Sequence, residues 1–446
     1  MENIKPYNKY KSSGIAWLGD IPEHWERWKI SRGVKNIGSG TTPSSGNKDF
    51  YENGTINWLN TGDFNNGILF KCKKKVTSKA LQENSSLKLF PKGTLSIAMY
   101  GATIGKVCII QFDATTNQAC CNIVEGKIFD NKFLMYWFIG HKPHIVNLSY
   151  GGGQPNISQD VIKSLFVPCP IKSEQTAIAN FLDYKTAKID RFIRKKKQLI
   201  KLLNEQKAGI INHAVTKGLD PNATMKNSGI EWLGDIPKHW EVRKLKYVAK
   251  ICNGSDCDKK AEGKYPVYGS GGVFGWNESF LYDKPSVLLG RKGTIDKPIL
   301  VNEPFWTVDT AFYTKIKTDL VDILFFYYLC CNIPFGFYSS KTALPSMTQT
   351  SLYEVKFSIP SVPEQQIIVQ YIEKETSQLN QLIQTIEKEI ALTQEYRTAL
   401  IAEAVTGKID VRAFVIPIVS TQEELYEEIE EELDMVAEDA ESYENE

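Results

Sequence analysis

Apolar residues recur every three or four positions along two long stretches of the chain. The first stretch carries Ile178, Leu182, Ile189, Phe192, Leu199, Leu203 and Ile210; the second carries Ile368, Ile372, Leu379, Leu382, Ile386, Ile390 and Leu400. That spacing places each set on one face of a helix. The pattern predicts a helix over 173–217, with Ser173 as N-cap and acidic Glu174 in the first turn. It predicts a second over 363–412, with Pro363 at its first position. Some forty residues at ~1.5 Å each make a rod of roughly 65 Å, which suits a coiled-coil spacer better than an ordinary globular helix.

Elsewhere the pattern is shorter and less regular. Apolar runs at 94–99, 106–112 and 286–289 read as strands, as do the Pro-containing segments 165–170 and 355–360. The stretches 133–139 and 323–331 are apolar throughout and read as buried segments. Both are well short of the roughly 20 residues that a membrane helix needs. The start, MENIKPYNKYK, has no apolar core, so no signal peptide is expected.

Each of these features occurs twice. KSSGIAWLGDIPEHWERWK at 11–29 returns as KNSGIEWLGDIPKHWEVRK at 226–244, an offset of 215 with 14 of 19 positions identical. Further along, the offset is 190. Pro155-Asn156-Ile157-Ser158-Gln159 pairs with Pro345-Ser346-Met347-Thr348-Gln349, Glu174-Gln175 with Glu364-Gln365, and Ala214-Val215-Thr216 with Ala404-Val405-Thr406. The second copy is thus 25 residues shorter, and the loss falls between about 30 and 130. Frame and ends are kept while the middle varies, as expected of a protein that reads two different things. The implied division is 1–172, a first variable domain; 173–217, a first long helix; 218–362, a second variable domain; 363–412, a second long helix; and 413–446, a tail.

Charge alters this picture. The whole chain has a formal net charge of +1, but residues 421–446 hold 13 Asp or Glu and no Lys or Arg. Removing them leaves 53 basic and 39 acidic residues, a net of +14. A basic body with an acidic tail is compatible with a nucleic-acid partner. The first helical stretch has 11 basic and 4 acidic residues, with a focus at 194–197; the second, 364–410, has 4 basic and 8 acidic residues. Opposite signs predict that the helices pair, antiparallel if the repeats are related by a pseudo-twofold. Within the tail, Leu425, Ile429, Leu433 and Val436 form a helical stripe; a disordered solubilising tail is the first expectation, and an acidic amphipathic helix able to dock on a basic surface is the alternative.

Catalytic motifs are not evident. Gly101-Ala-Thr-Ile-Gly105-Lys106 is one residue short of a phosphate loop, and Val107 stands where a magnesium-binding hydroxyl belongs. Gly269–Gly275 misses the dinucleotide spacing. His24 and His239 occupy equivalent positions beside Trp25 and Trp240, where packing is expected rather than ligation. No nucleophile elbow occurs. The nine cysteines are odd in number and scattered, as expected of free thiols in a reducing cytoplasm.

The side chains suited to nucleic acid lie in the variable middles. In copy one these are Thr41, Thr42, Lys48, Tyr51, Trp58, Thr61, Lys73, Lys74, Tyr100, Lys106, Asn117 and Gln118. In copy two they are Tyr268, Ser270, Arg291, Lys292 and Thr294. Cations meet phosphates and make binding salt-dependent. Amides, hydroxyls and cations supply the donors and acceptors that read base edges.

With these residues in view, the sequence resembles the specificity subunits of bacterial type I restriction–modification enzymes. The resemblance covers roughly residues 10–412. It rests on the doubled W-L-G-D-I-P-x-H-W opening, on Gly101–Lys106 with Asn117-Gln118, on Tyr265–Gly272, Gly290–Thr294 and Pro304–Asp309, and on the Glu–Gln helix starts. It implies a mixed α/β fold in which two target-recognition domains in pseudo-twofold arrangement are separated by two long antiparallel coiled-coil helices. It also implies a non-catalytic subunit that recognises a bipartite sequence in double-stranded DNA. Such a subunit docks two modification (methyltransferase) subunits, joined by two restriction subunits. S-adenosylmethionine, ATP and Mg would be used on those other subunits, with no cofactor bound directly and no membrane involved. A coiled-coil scaffold without sequence readout is the alternative; it predicts similar middles, and these middles diverge.

Overall fold

The computed structural model describes residues 5–149, 156–257, 262–339 and 345–416. The tail stripe at Leu425–Val436 lies outside the described residues. The chain forms two compact units, and the first is built from two separate segments. One takes residues 1–196 and 388–446; the other takes 197–387. The division passes through the middle of both long helices, which run Lys172–Lys217 and Val362–Thr406. Each long helix, set apart as a segment in the sequence, is thus shared between the two units. The reason is physical: each half-helix buries its stripe against the domain at its own end.

The second helix stops at Thr406 rather than near 412. Gly407 follows with φ +74°, a left-handed conformation that ends an α-helix and that glycine adopts without strain. Gly218 does the same after the first helix, with φ +77°.

The first unit opens on an antiparallel pair, Tyr10–Ser12 with Asp20–Pro22. Glu26–Lys29 then pairs with Phe166–Cys169. A five-stranded sheet has the order Asn36–Gly38, Cys120–Val124, Leu95–Ala98, Val107–Ile110, Gly67–Leu69; its last pair is parallel and the rest antiparallel. A three-stranded sheet has the order Ala114–Thr116, Ile56–Leu59, Lys75–Val76. Leu95–Ala98 and Val107–Ile110 are buried on both faces, so their sequences read as continuous apolar runs rather than alternation. The helix Asn131–Gly140 carries the buried Phe133–Phe138 segment and is capped by the Asp130 carboxylate, which accepts from the Lys132 and Phe133 amides.

The second unit repeats this plan with fewer parts. Met225–Asn227 pairs with Asp235–Pro237, and Glu241–Lys244 with Lys356–Ile359. Its four-stranded sheet has the order Ala249–Asn253, Ala311–Ile316, Ser286–Gly290, Ile299–Val301; its three-stranded sheet has the order Gly272–Asn277, Tyr265–Gly269, Trp306–Thr307. Helix Ile323–Cys331 is capped by Asp322, which accepts from Leu324 and Phe325 amides. Asp130 therefore corresponds to Asp322, an offset of 192. The 190 register that set Phe133 against Ile323 is two residues off at this point, and Phe133 matches Phe325.

Helix pairing is antiparallel within each unit. In the first, Arg397 donates through Nε and Nη2 to the Asp190 carboxylate at 3.0 and 3.3 Å, and Lys196 lies 3.0 Å from Glu389. In the second, Lys207 donates to the Asn380 side-chain oxygen at 2.7 Å. Ile178, Leu182, Ile189, Phe192, Ile368, Ile372, Ile386 and Ile390 are buried as the stripes require. Leu199 and Leu382 are exposed instead, because a helix covered on one side only leaves apolar residues off the seam in solvent.

Candidate nucleic-acid interface

The frame of each unit is built from the same bonds. The buried Trp25 indole donates to Glu174 at 3.0 Å, and Trp240 donates to Glu364 at 2.9 Å. His24 and His239 reach the same carboxylates, each at 3.0 Å. Both histidines pack against the frame's aromatic rings as expected, His24 on Tyr7 at 5.5 Å and His239 edge-on to Trp240 at 6.4 Å, and their part-exposed side chains serve as partners of Glu174 and Glu364. Gln175 donates to the Pro170 and Ile128 carbonyls and accepts from the Asp130 amide; Gln365 does so with Pro360, Leu320 and Asp322. A fully buried amide that meets three backbone groups locks helix start, strand and capped helix together.

The correspondence continues into the variable middles. A Cβ on Gly40 would lie 1.7 Å from the Thr116 carbonyl oxygen, and one on Gly254 would lie 2.1 Å from that of Val308. Only glycine permits this approach. Next to it, the Trp58 indole donates to the Thr41 carbonyl and the Trp306 indole to the Ser255 carbonyl. Tyr100 forms an isolated bridge with Asn156, and Lys292 forms one with Ser346. Three positions thereby match across the units: Thr42 with Asp256, Gln118 with Thr310, and Tyr100 with Lys292. The shortening of copy two falls between Gly40 and Ala98, where copy one adds the edge strand Gly67–Leu69 and the helix Ser78–Glu83.

In the first unit the fold gathers most of the expected residues. Thr42 donates to the Gln118 side-chain oxygen at 2.7 Å. Tyr51 donates to the Pro43 carbonyl at 2.6 Å and meets Trp58 edge-on. Trp58 is buried with Phe50, Val76, Ala80 and Leu87, so its ring supports the surface from below. Lys74 stands over that ring at 5.6 Å. Asn117 donates to Asn60 beside Thr61 and accepts from the Ala119 amide. The Met99 amide donates to the Ala119 carbonyl, which brings exposed Tyr100 beside Gln118. Lys106 is half-buried at the foot of the same turn, and Lys73 is exposed next to Lys74. Lys48 stands apart on an exposed turn, 3.9 Å from Glu52.

In the second unit Ser270 donates to the Lys292 carbonyl at 2.7 Å, and Arg291 donates to the Asp309 carbonyl at 3.3 Å. The Lys292 ammonium lies 3.8 Å from the Asp309 carboxylate. Tyr268 is half-buried, its hydroxyl pushed above its usual pKa chiefly by burial. Thr294 is half-buried in the turn before buried Ile295. A cleft of about 440 Å³ opens here, lined by Asp256, Gly269–Phe274 and Val308–Thr310. Exposed Val273 and Phe274 stand on one rim, each 48% exposed. Asp256, Asp309, Thr310 and this rim were not among the sequence candidates. The signal that finds them is the change of offset from 214 at Gly40/Gly254 to 192 at Thr116/Val308.

All nine cysteines are free. Burial pushes the Cys121 and Cys169 thiols up to about 12, which keeps them protonated and inert. No group of three or more His, Cys, Asp or Glu among the described residues is placed to hold a metal. No helix among them is long and apolar enough to cross a membrane.

These features define a double recognition module, in which one frame is used twice to present two different polar surfaces. The family model for the type I restriction modification DNA specificity domain matches twice, over residues 22–202 and 237–392, and the chain belongs to that family. The MjaIX type I restriction enzyme specificity subunit of Methanocaldococcus jannaschii is 26% identical over 88% of this chain and 95% of its own length. The EcoprrI specificity subunit of Escherichia coli is 24% identical over 81% of this chain and 90% of its own. A solved chain from work on complex assembly and conformational transition of the type I R-M system has a TM-score of 0.66 at 14% identity. The match covers 87% of this chain and 99% of that one, and it shows the shared fold. The chain is a specificity subunit, a non-catalytic part of a type I restriction–modification complex.

Proposed function

We propose that this chain gives a type I restriction–modification complex its DNA specificity by reading a split target, one half-site per unit. One observation carries the reading. The bonds that build the frame recur in both units, while Thr42, Gln118 and Tyr100 are replaced at matched points by Asp256, Thr310 and Lys292. A frame kept twice with different polar groups on it supports two readings of base edges. A scaffold without readout would have no use for the difference.

Two equivalent frames also favour two copies of a modification subunit, with two restriction subunits joining them. In this reading adenine is methylated with S-adenosylmethionine on the modification subunits, and ATP and Mg serve the restriction subunits. The nine free cysteines fit a reducing cytoplasm.

The test is selection from random duplex DNA by the full chain together with its modification partner. A motif of two short specific blocks at constant separation is expected. An unsplit motif, or none, would overturn the reading. Exchanging residues 30–150 for the middle of another subunit should change one block and leave the other intact.

A further inference from the structure

The matched positions carry different hydrogen-bond chemistry, and that difference has a consequence for what each unit reads. We infer that the two units select different base pairs at equivalent points: an A·T pair through Thr42 and Gln118 in the first, and a G·C pair through Asp256 and Lys292 in the second. This rests on the DNA-reading assignment above and names the base chemistry of the same surfaces.

In the first unit the pair is neutral. The Thr42 hydroxyl donates to the Gln118 side-chain oxygen at 2.7 Å and fixes the orientation of an exposed amide. That oxygen keeps a second lone pair, and the amide NH2 keeps its donors. A glutamine so held presents an acceptor and a donor side by side, the pattern that matches N6 and N7 of adenine. The Thr42 methyl group is suited to the C5-methyl of the paired thymine. Tyr100, at the third matched position, adds no charge.

In the second unit the pair is charged. Asp256 is exposed on the wall of the 440 Å³ cleft and makes no hydrogen bond or ion pair among the described residues. A carboxylate is repelled by phosphates, so on a DNA-facing wall it needs a base-edge donor, and cytosine N4 supplies one. Lys292 occupies the third matched position, exposed and 3.8 Å from Asp309. Its ammonium is suited to the O6 and N7 acceptors of the guanine in the same pair. Thr310, which replaces Gln118, accepts from the Ser270 amide and so faces its own backbone, leaving Asp256 and Lys292 as the discriminating groups.

The experiment is duplex selection with the full chain and its modification partner, run for wild type, Gln118→Glu and Asp256→Asn. Glu accepts from cytosine where Gln matched adenine, and Asn matches adenine where Asp accepted from cytosine. Gln118→Glu should move one position of one half-site from adenine to cytosine, with about a tenfold loss of the wild-type preference. Asp256→Asn should move one position of the other half-site from cytosine to adenine, by a similar factor. Gln118→Ala and Asp256→Ala should relax the same positions without a new preference. Both residues are exposed, and unchanged thermal melting checks that the fold is intact. The inference is overturned if a variant leaves both half-sites unchanged, if both variants alter the same half-site, or if affinity falls uniformly across sequences. If wild type enriches no split motif, the DNA-reading assignment fails first and takes this inference with it.

Discussion

Trp25 and Glu174 are 149 residues apart in the chain, yet the Trp25 indole N–H donates to the Glu174 carboxylate at 3.0 Å. Tyr7 donates to the same carboxylate at 2.7 Å, and burial together with that bond holds the Tyr7 hydroxyl well above its ordinary pKa. Removing the acid strands two buried donors, each at a cost of ~1–3 kcal/mol. Glu174→Ala should lower stability by about 3 kcal/mol, read as a shift in the urea midpoint. Glu364→Ala should cost about 1 kcal/mol, because Glu364 is partly exposed and holds one buried indole, that of Trp240. Equal losses would show that the Tyr7 bond contributes nothing.

The bidentate pair Asp190–Arg397 joins the two helices of the first unit. Asp190→Arg should destabilise by roughly 1–2 kcal/mol, since it sets like charges together beside a basic helix. Arg397→Asp added to it should restore most of the loss, and the effect should shrink as salt rises. A double variant no better than the single one would remove the pair from the account of helix pairing.

His141 is buried and lies against Trp137 and Trp17. Burial lowers its pKa from the usual 6.5 to about 4. The unfolded chain therefore binds the proton more readily than the folded one. This site's contribution is complete above about pH 6.5 and is lost as pH falls toward 4, at most ~3 kcal/mol in all. In urea melts from pH 7 to pH 4, wild type should lose stability relative to His141→Phe as pH falls. Parallel curves would mean that His141 is not the group responsible.

Both long helices pass between the units, leaving the first at Lys196 and re-entering it at Lys388. Inserting one turn, about four residues, after Lys196 and another after Glu387 should lengthen each by ~6 Å, close to two base-pair rises. The spacer between the two half-sites should grow by about two base pairs in duplex selection, with both blocks unchanged. An unchanged spacer would show that helix length does not set the separation.

The sequence made much of the frame legible. Periodicity located both long helices to within a residue at their starts, because a stripe every three or four residues leaves few alternatives. Identity between copies located the Trp-rich openings and the Glu–Gln helix starts, and the structure assigns those residues one shared task. The middles were less legible. Gly40 and Gly254 match because a carbonyl closes on each, and no local pattern announces such an approach. Trp58 was a candidate for contact and is instead a buried support, since an aromatic in a strand looks the same whichever face it takes. Asp256 drew no attention alone and gains meaning only opposite Thr42.

What the sequence determined by itself was that one plan occurs twice, with a variable centre and a helix at each end, because repetition and periodicity are local properties of the chain. Which parts complete one another was decided by the tertiary structure. Trp25 meets Glu174 at the start of the first helix but Gly407 at the end of the second; Trp240 meets Glu364 at the start of the second and Gly218 at the end of the first. Each opening thus takes its helix start from its own copy and its helix end from the other copy. Antiparallel pairing brings the end of each helix beside the start of its partner, and a tryptophan buried there gains an acid and a glycine from segments far apart in the chain.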